Sequence, residues 1–317
     1  MHGWIILDKP LGLGSTQAVS AVKRALREGG YGKAKVGHGG TLDPLASGVL
    51  PVAIGEATKL AGRMLDSDKI YEFTIGFGTQ TSTLDAEGEV VATSAVRPTL
   101  VAVEAVLPRF TGPIEQVPPA YSALKVDGER AYDLARAGEE VVLATRAVTV
   151  FSLAVAPAQA GAAGVDALAP SSHPAAPASA GATVDAITLI AHVSKGTYIR
   201  SLARDIALAL GTVGHVTYLR RIKAGPFDLS HAISLDKLAE SAKRHDLEQI
   251  LLPLRAGLDD IPALSLDPDQ AGALRQGRVL AGIAEDDGLH FAMLGETPVA
   301  LVEVESGEAR VVRGFNL

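Results

Sequence analysis

The stretch VGHGGTLDPLASGVL, Val36 to Leu50, holds four glycines, one histidine, one aspartate and one proline. Such a glycine cluster suggests a phosphate cradle. A P-loop, however, requires Gly-x-x-x-x-Gly-Lys-Ser/Thr, and no Gly-Lys-Ser/Thr occurs in the chain. GLGSTQ, 12–17, has two glycines but no third at dinucleotide-binding spacing. His38 and Asp43 stand five apart with no second histidine near them, so no metal site is expected. Ser47 sits in Ala-Ser-Gly, not in the Gly-x-Ser-x-Gly of a hydrolase elbow. Asp43 itself, in Thr-Leu-Asp-Pro, suits a helix N-cap. Taken locally, the cap is favoured over a chemical role.

Outward from this stretch, WIIL (4–7) predicts a short buried strand, followed by the turn-rich DKPLGLG. Ser15 or Thr16 then reads as an N-cap for a helix carrying Val19, Val22 and Leu26, closed by Gly29-Gly30. KLAGRMLDSDK predicts a helix running into a turn. Tyr71, Phe73, Ile75 and Phe77 alternate with Glu72, Thr74 and Gly76, which is a strand with one buried face. Residues 98–110 suggest a short helix starting at a proline. Residues 146–156 and 187–193 read as strands, and 199–210 as a helix with Ile199, Leu202, Ile206 and Leu210 on one face. A strand and turn are expected over 215–230 and a helix over 233–252. Short strands at FAML, PVALVEV and ARVVRGF, separated by glycine-bearing turns, suggest a small β-rich C-terminal domain. Residues 156–183 are dominated by Ala, Pro, Gly and Ser and hold few large apolar side chains to offset ordering entropy. They read as a low-complexity insertion, with His173 merely solvated.

Composition narrows the chemistry. With no cysteine there is no disulfide framework, no cysteine nucleophile and no thiolate-bound zinc, and a reducing cytoplasm is expected. No apolar run approaches the roughly 20 residues needed to span a bilayer. The opening MHGWIILDKP lacks the pattern of a signal peptide. The net charge of −7 is unevenly spread. Residues 1–63 carry eight Lys/Arg against four Asp/Glu, and 191–227 carry six against one. Residues 228–317 carry eight against sixteen. Binding to phosphate follows local potential, so two basic segments are compatible with a nucleic-acid partner.

GHGGTLDPLASGVLPVAIGEATKL closely resembles the catalytic motif of the TruB family of pseudouridine synthases. LDKPLGLGST is similar to the family's N-terminal motif, DSDKIYEF to its Asp-Lys-x-Tyr strand, and VSKGTYIRSLARDIA to its Ser-Lys-Gly-Thr-Tyr-Ile-Arg motif. HVTYLRRIKAGPF resembles its Leu-Arg-Arg segment, and ARVVRGFNL the close of the C-terminal RNA-binding domain of bacterial members. The resemblance implies an α+β pseudouridine synthase fold: a mixed, largely antiparallel sheet flanked by helices, with a small C-terminal PUA-like β-rich domain. It implies a catalytic domain over 1–252 and an RNA-binding domain over 258–317. Truncation before about Leu258 is then expected to weaken RNA binding more than it slows the bound reaction.

The activity implied is isomerisation of uridine 55 in the T-loop of tRNA, by an enzyme that needs no cofactor and no metal. Asp43 stands at the family's catalytic aspartate, Tyr71 at the tyrosine proposed to take a proton from the base, and Arg200 at the arginine that pairs with the aspartate. His38, Tyr198 and Leu219 match positions that line the site of the flipped uridine. The implied partner is the tRNA T-arm, with no membrane, no obligate protein partner and a monomeric state. Two departures stand out: Gly39 where Thr is common, expected to loosen the loop, and Ser82 of TSTLD where an acid is frequent, leaving Asp85. Two alternatives use the same scaffold: an RNA-binding or tRNA-folding factor without chemistry, and an RNA-guided relative. The intact Asp43, Tyr71 and Arg200 count against the first, and the bacterial-type tail and the absence of long basic extensions count against the second.

Overall fold

Trp4, Ile5, Ile6 and Leu7 are all buried, because successive strand side chains leave opposite faces and both faces here are covered. The computed structural model describes residues 1–122, 124–126, 128–139, 141–157 and 182–317. Most of the Ala/Pro-rich insertion, with His173, lies outside the described residues.

The chain opens with β1 (Gly3–Lys9), α1 (Ser15–Glu28), β2 (Val36–His38), β3 (Ala46–Ile54) and, after a 3-10 turn at Gly55–Leu60, α2 (Ala61–Asp66). There follow β4 (Lys69–Phe77), β5 (Thr79–Thr81), β6 (Val90–Thr93), α3 (Leu100–Val106) and β7 (Gly112–Gln116). The short pair β8 (Lys125–Val126) and β9 (Glu129–Arg130) leads to α4 (Ala131–Arg136), β10 (Arg146–Val155), β11 (Ala186–Val193) and α5 (Ile199–Ala209). Then come β12 (Gly214–Ala224), β13 (Phe227–Asp228) and α6 (Leu235–Lys243). The C-terminal part contains β14 (Ala263–Ser265), α7 (Pro268–Arg275), β15 (Leu280–Ala281), β16 (Gly288–Leu294), β17 (Thr297–Glu305) and β18 (Glu308–Gly314). This is the expected α+β arrangement. Among the described residues no helix is long and apolar enough to cross a membrane.

Packing divides the chain into two units. The first comprises Met1–Pro44, Gly48–Asp66 and Lys223–Leu317, and the second Leu45–Ser47 and Ser67–Ile222. β3, which belongs to the first unit from Gly48 on, is buried at all positions but Ser47 and pairs antiparallel with β1, from Gly3 opposite Ile54 to Lys9 opposite Gly48. β2 also pairs with β3, placing His38 opposite Val52. Ile5 and Leu7 face a core built with α1 and α6. Trp4 and Ile6 face another, to which the C-terminal segment contributes Phe291 and Leu301 from its sheet and Phe315 just after it. That sheet has the order β14-β16-β17-β18-β15 and a core of its own. The C-terminal segment therefore packs on the strand that opens the chain.

The chain's end is fastened there. Lys59 Nζ donates to Gly314 O at 2.8 Å, and Asn316 N donates to Glu56 Oε2 at 2.8 Å. Phe315 is buried edge-on to Phe291. Burial pushes the Glu56 carboxyl up, but the hydrogen bonds from Lys59 and Asn316 outweigh it and hold the group below its ordinary value of 4.5. A depressed folded value stabilises above the unfolded value and is lost as pH falls through the folded one. Glu56→Gln is therefore expected to lower thermal stability at pH 7, by about 1 kcal/mol or less for a half-buried ion pair at the surface. The difference from wild type should shrink as pH falls below 4.5 and through the lower folded value, in melts recorded across pH.

In the second unit the strand order is β12-β4-β11-β10-β7. β4 pairs antiparallel with β11, Tyr71 opposite Ala191 and Phe73 opposite Leu189. α5 packs against β4 through an apolar face that buries Ile199, Leu202, Ala203 and Ile206. Two expectations need correction. Ser15 is inside α1, and Gly14 precedes it, with Gly14 N donating to Gln17 Oε1 at 2.8 Å. The helix expected over 233–252 stops at Lys243, because His245 takes a left-handed conformation (φ 55°) and only a 3-10 turn follows, at Leu247–Ile250.

Candidate active site

Asp43 caps no helix. After Pro44-Leu45 the chain turns directly into β3 at Ala46. The β-branched Val49, Val52 and Ile54 pair with β1, and this tertiary pairing overrides the local cap signal. Gly40 (φ 131°) and Gly48 (φ 103°) bracket the segment in conformations that disfavour side chains.

The backbone on both sides of half-buried Asp43 is pinned by the loop between β1 and α1. Ser15 Oγ donates to Leu42 O at 2.9 Å and accepts from Leu42 N at 2.8 Å. Gly12 N donates to Pro44 O at 2.8 Å. Lys9, 0 % exposed, donates from Nζ to Leu13 O at 2.6 Å, Pro10 O at 2.9 Å and Pro44 O at 3.4 Å. A buried ammonium is costly unless hydrogen-bonded, so these carbonyls both satisfy the charge and tie the loop to Pro44. Neither role is visible locally. Ser15 looks like a cap and Lys9 like a turn cation, and only the motif LDKPLGLGST marked the region as special.

Gly39, expected to loosen this segment, is buried and does the opposite. Its N–H donates to Pro51 O at 2.8 Å, and a Cβ on it would meet Met64 Cβ at 2.4 Å and Cγ at 3.0 Å. The space a threonine would use is occupied by α2. Gly39→Ala is expected to destabilise by about 1–3 kcal/mol through overpacking. Met64→Gly in the same chain should recover part of that loss. Additive single losses in a double-mutant cycle measured by urea titration would exclude the contact as the cause.

The other candidate residues lie in the second unit. Tyr71 is half-buried on β4, Leu219 is buried on β12, and Tyr198 and Arg200 open α5. Gln116, 1 % exposed, seats that helix start: its Nε2 donates to Tyr198 O at 3.1 Å and its Oε1 accepts from Tyr198 N at 2.8 Å. Arg200 is buried and its guanidinium is held at several points. Nη1 donates to Thr83 O at 3.0 Å and to Asp85 Oδ2 at 3.2 Å, and Nη2 donates to Tyr121 O at 3.0 Å. Asp85, 8 % exposed, also accepts from Thr83 Oγ1 and from Glu87 N at 3.1 Å. TSTLD is thus a buried turn that aims Arg200, with Leu84 in the left-handed region (φ 62°). Ser82 has no part in the bonds to Arg200. Ser47 of the same unit accepts from Arg220 Nη1 at 3.3 Å. Asp85→Asn keeps the shape but removes the charge from the pair. It is expected to cost about 2 kcal/mol in urea titration and to slow turnover.

Known proteins resemble the chain along its whole length. A profile described as TruB family pseudouridylate synthase, N-terminal domain, matches residues 27–199, and one described as tRNA pseudouridylate synthase B C-terminal domain matches 200–259. A protein of Novosphingobium aromaticivorans named tRNA pseudouridine synthase B is 62% identical over 317 residues, covering 100% of this chain and 98% of its own. Proteins of the same name from Zymomonas mobilis and Caulobacter vibrioides are 58% and 45% identical, covering 100% of this chain and 96% and 97% of theirs. Among solved structures, a chain of an H/ACA RNP bound to a substrate RNA containing 2′-deoxyuridine superposes with a TM-score of 0.68 at 23% identity. That likeness covers 99% of this chain and 85% of the other, and it shows the shared fold.

Proposed function

The chain belongs to the TruB family of pseudouridine synthases, and from that premise we propose that it acts on uridine 55 in the T-loop of tRNA, with Asp43 as the carboxylate that acts on the ribose. It is an isomerase that converts uridine to pseudouridine in tRNA. The conversion breaks the N1–C1′ bond, turns the base, joins C5 to C1′ and moves the C5 proton to N1. No atom is gained or lost, so the chemistry itself calls for no redox partner.

A uracil in a stacked loop hides its glycosidic bond, so it must be flipped out. His38 fills the place the base leaves, and Tyr198 and Leu219 line the pocket it enters. The carboxylate of Asp43 either attacks C1′ as the positive charge develops there or takes the 2′ proton. Both routes place one carboxylate against the ribose. Arg200 keeps that carboxylate ionised and aimed, and Tyr71 receives the C5 proton. The residues of 258–317 form a PUA-like module that holds RNA beside a catalytic domain of 1–252. The enzyme works in the cytoplasm as a monomer without a protein partner.

One observation carries this reading: the backbone either side of Asp43 is fixed by Ser15 on Leu42 and by Gly12 and Lys9 on Pro44. A mere surface acid has no need of such support, whereas a group that must meet one carbon atom does. The test incubates the purified chain alone with an unmodified tRNA transcript and maps pseudouridine. Conversion confined to the T-loop uridine is expected. Conversion only when a guide RNA or partner protein is added, or none at all, would overturn it.

A further inference from the structure

Helix α5 is covered on two sides. Its apolar face, with Ile199, Leu202, Ala203 and Ile206, packs on β4. Arg200, Ser201 and Arg204 share the other side, since residues three and four apart lie on one helix face. The segment QVPPAY (116–121), which leaves the end of β7, meets that side with carbonyl groups. Ser201 Oγ donates to Val117 O at 2.8 Å, Arg204 Nη2 donates to the same oxygen at 3.2 Å, and Arg200 Nη2 reaches Tyr121 O. Pro118 and Pro119 have a fixed φ and no N–H, so the segment is stiff and offers acceptors rather than donors there.

The start of α5 is capped from outside. Tyr198 stands at the N-cap with no side-chain cap bond of its own. In a capping box a Glu or Gln at the third helical position reaches back to the N-cap N–H. Here that position is Ser201, which is 0 % exposed and turned to Val117, and the glutamine that accepts from Tyr198 N is Gln116, from another strand. Stability does not call for this arrangement. A buried polar pair contributes little net, and apolar groups of the same shape can hold two elements together as well. Apolar packing, however, is non-directional and leaves the helix free to shift slightly along β4. Hydrogen bonds to a stiff segment are directional and fix both its height and its rotation.

We propose that Gln116 is a positioning residue for the isomerisation. With the carbonyls of Val117 and Tyr121 it makes QVPPAY a template that sets α5, so that Tyr198 lines the base pocket and Arg200 aims the catalytic carboxylate. The inference rests on the roles proposed above for Tyr198 and Arg200. Gln116 touches no reacting atom. It acts through the Tyr198 backbone, which it brackets with two bonds, and its effect belongs to the rate of the bound reaction rather than to the binding of tRNA.

The test compares Gln116→Met, Gln116→Glu and Arg200→Lys in the full chain, each after a melt shows that it is folded at the assay temperature. Single-turnover rates at saturating tRNA, KM and tRNA dissociation constants are measured. Pseudouridine is scored over the whole tRNA, so an error about which uridine is converted leaves the comparison intact. Gln116→Met is close in shape and makes neither bond. A misplacement of about 1 Å costs on the order of 10²-fold, so its rate should fall by that order while KM and the dissociation constant stay at wild-type values. Gln116→Glu can make both bonds when protonated and repels Tyr198 O when ionised. Burial raises the pKa of a carboxyl, so this variant should approach the wild-type rate at acid pH and fall away from it as pH rises through the raised value. A merely structural role moves neither the split between kcat and KM nor this pH dependence. A wild-type rate in Gln116→Met, or a loss that appears in KM and affinity instead, overturns the inference. If Arg200→Lys keeps the wild-type rate, the role proposed for Arg200 fails, and Gln116 is still decided by its own rates. Should Gln116→Met fail to fold, Gln116→Glu decides alone, and a ratio to wild type that does not change with pH overturns the inference.

Discussion

Asp43→Asn should bind unmodified tRNA as wild type does and form no detectable pseudouridine. Asparagine matches aspartate in size, and the bonds that Ser15, Gly12 and Lys9 make to the backbone on either side of it are untouched by the substitution. The fold and the RNA surface should therefore persist. What is lost is the charge that meets the ribose, and an amide can neither attack C1′ nor take the 2′ proton at a useful rate. A fall of at least 10³ in single-turnover rate is expected, which is about 4 kcal/mol of barrier. Filter binding and single-turnover mapping on one preparation separate the two effects. Substantial activity in this variant would remove Asp43 from the chemistry. A matching loss of affinity would make it a binding residue.

Truncation before Leu258 should cost the fold, not RNA affinity alone. The sequence suggested a detachable RNA-binding domain. In the structure the segment packs on β1, and its removal bares the face of Trp4 and Ile6 that Phe291, Leu301 and Phe315 help cover. Burying one large apolar side chain contributes about 1.5–3 kcal/mol, and a whole domain is stable by only about 5–15 kcal/mol. Uncovering several at once is enough to unfold the first unit, whose β3 leads out of the Asp43 loop. The truncated chain is expected to lose its cooperative melt and to bind a hydrophobic dye. If it melts as wild type does and only its affinity falls, the C-terminal segment is separable after all.

Much of the fold was legible locally. Alternation marked β4 and β11, helical spacing marked α1 and α5, and glycine-bounded apolar runs marked the C-terminal strands. Failures came where a distant partner decides. Asp43 looked like a cap because Thr-Leu-Asp-Pro is a good helix start, but pairing with β1 makes the following residues a strand. Ser15 looked like a cap because it precedes an apolar repeat, yet its hydroxyl is committed to Leu42, 27 residues away. The helix after Ser234 seemed longer because a non-glycine His245 gave no warning of a left-handed stop.

For the site, the order and spacing of the six motifs identified the family and nominated Asp43, Tyr71 and Arg200. That information is in the sequence because the roles proposed for them on a ribose and a base each demand one chemical type of side chain. The sequence could not tell what holds them. Lys9, Gln116 and Asp85 act through backbone carbonyls, amides and a guanidinium brought near by folding, and a bond across 115 residues, such as that from Arg200 to Asp85, leaves no local pattern. Residue chemistry determined what this protein can do to uridine. The tertiary structure decided which groups keep that chemistry aimed, because position within an ångström depends on packing and hydrogen bonds between segments far apart in the chain.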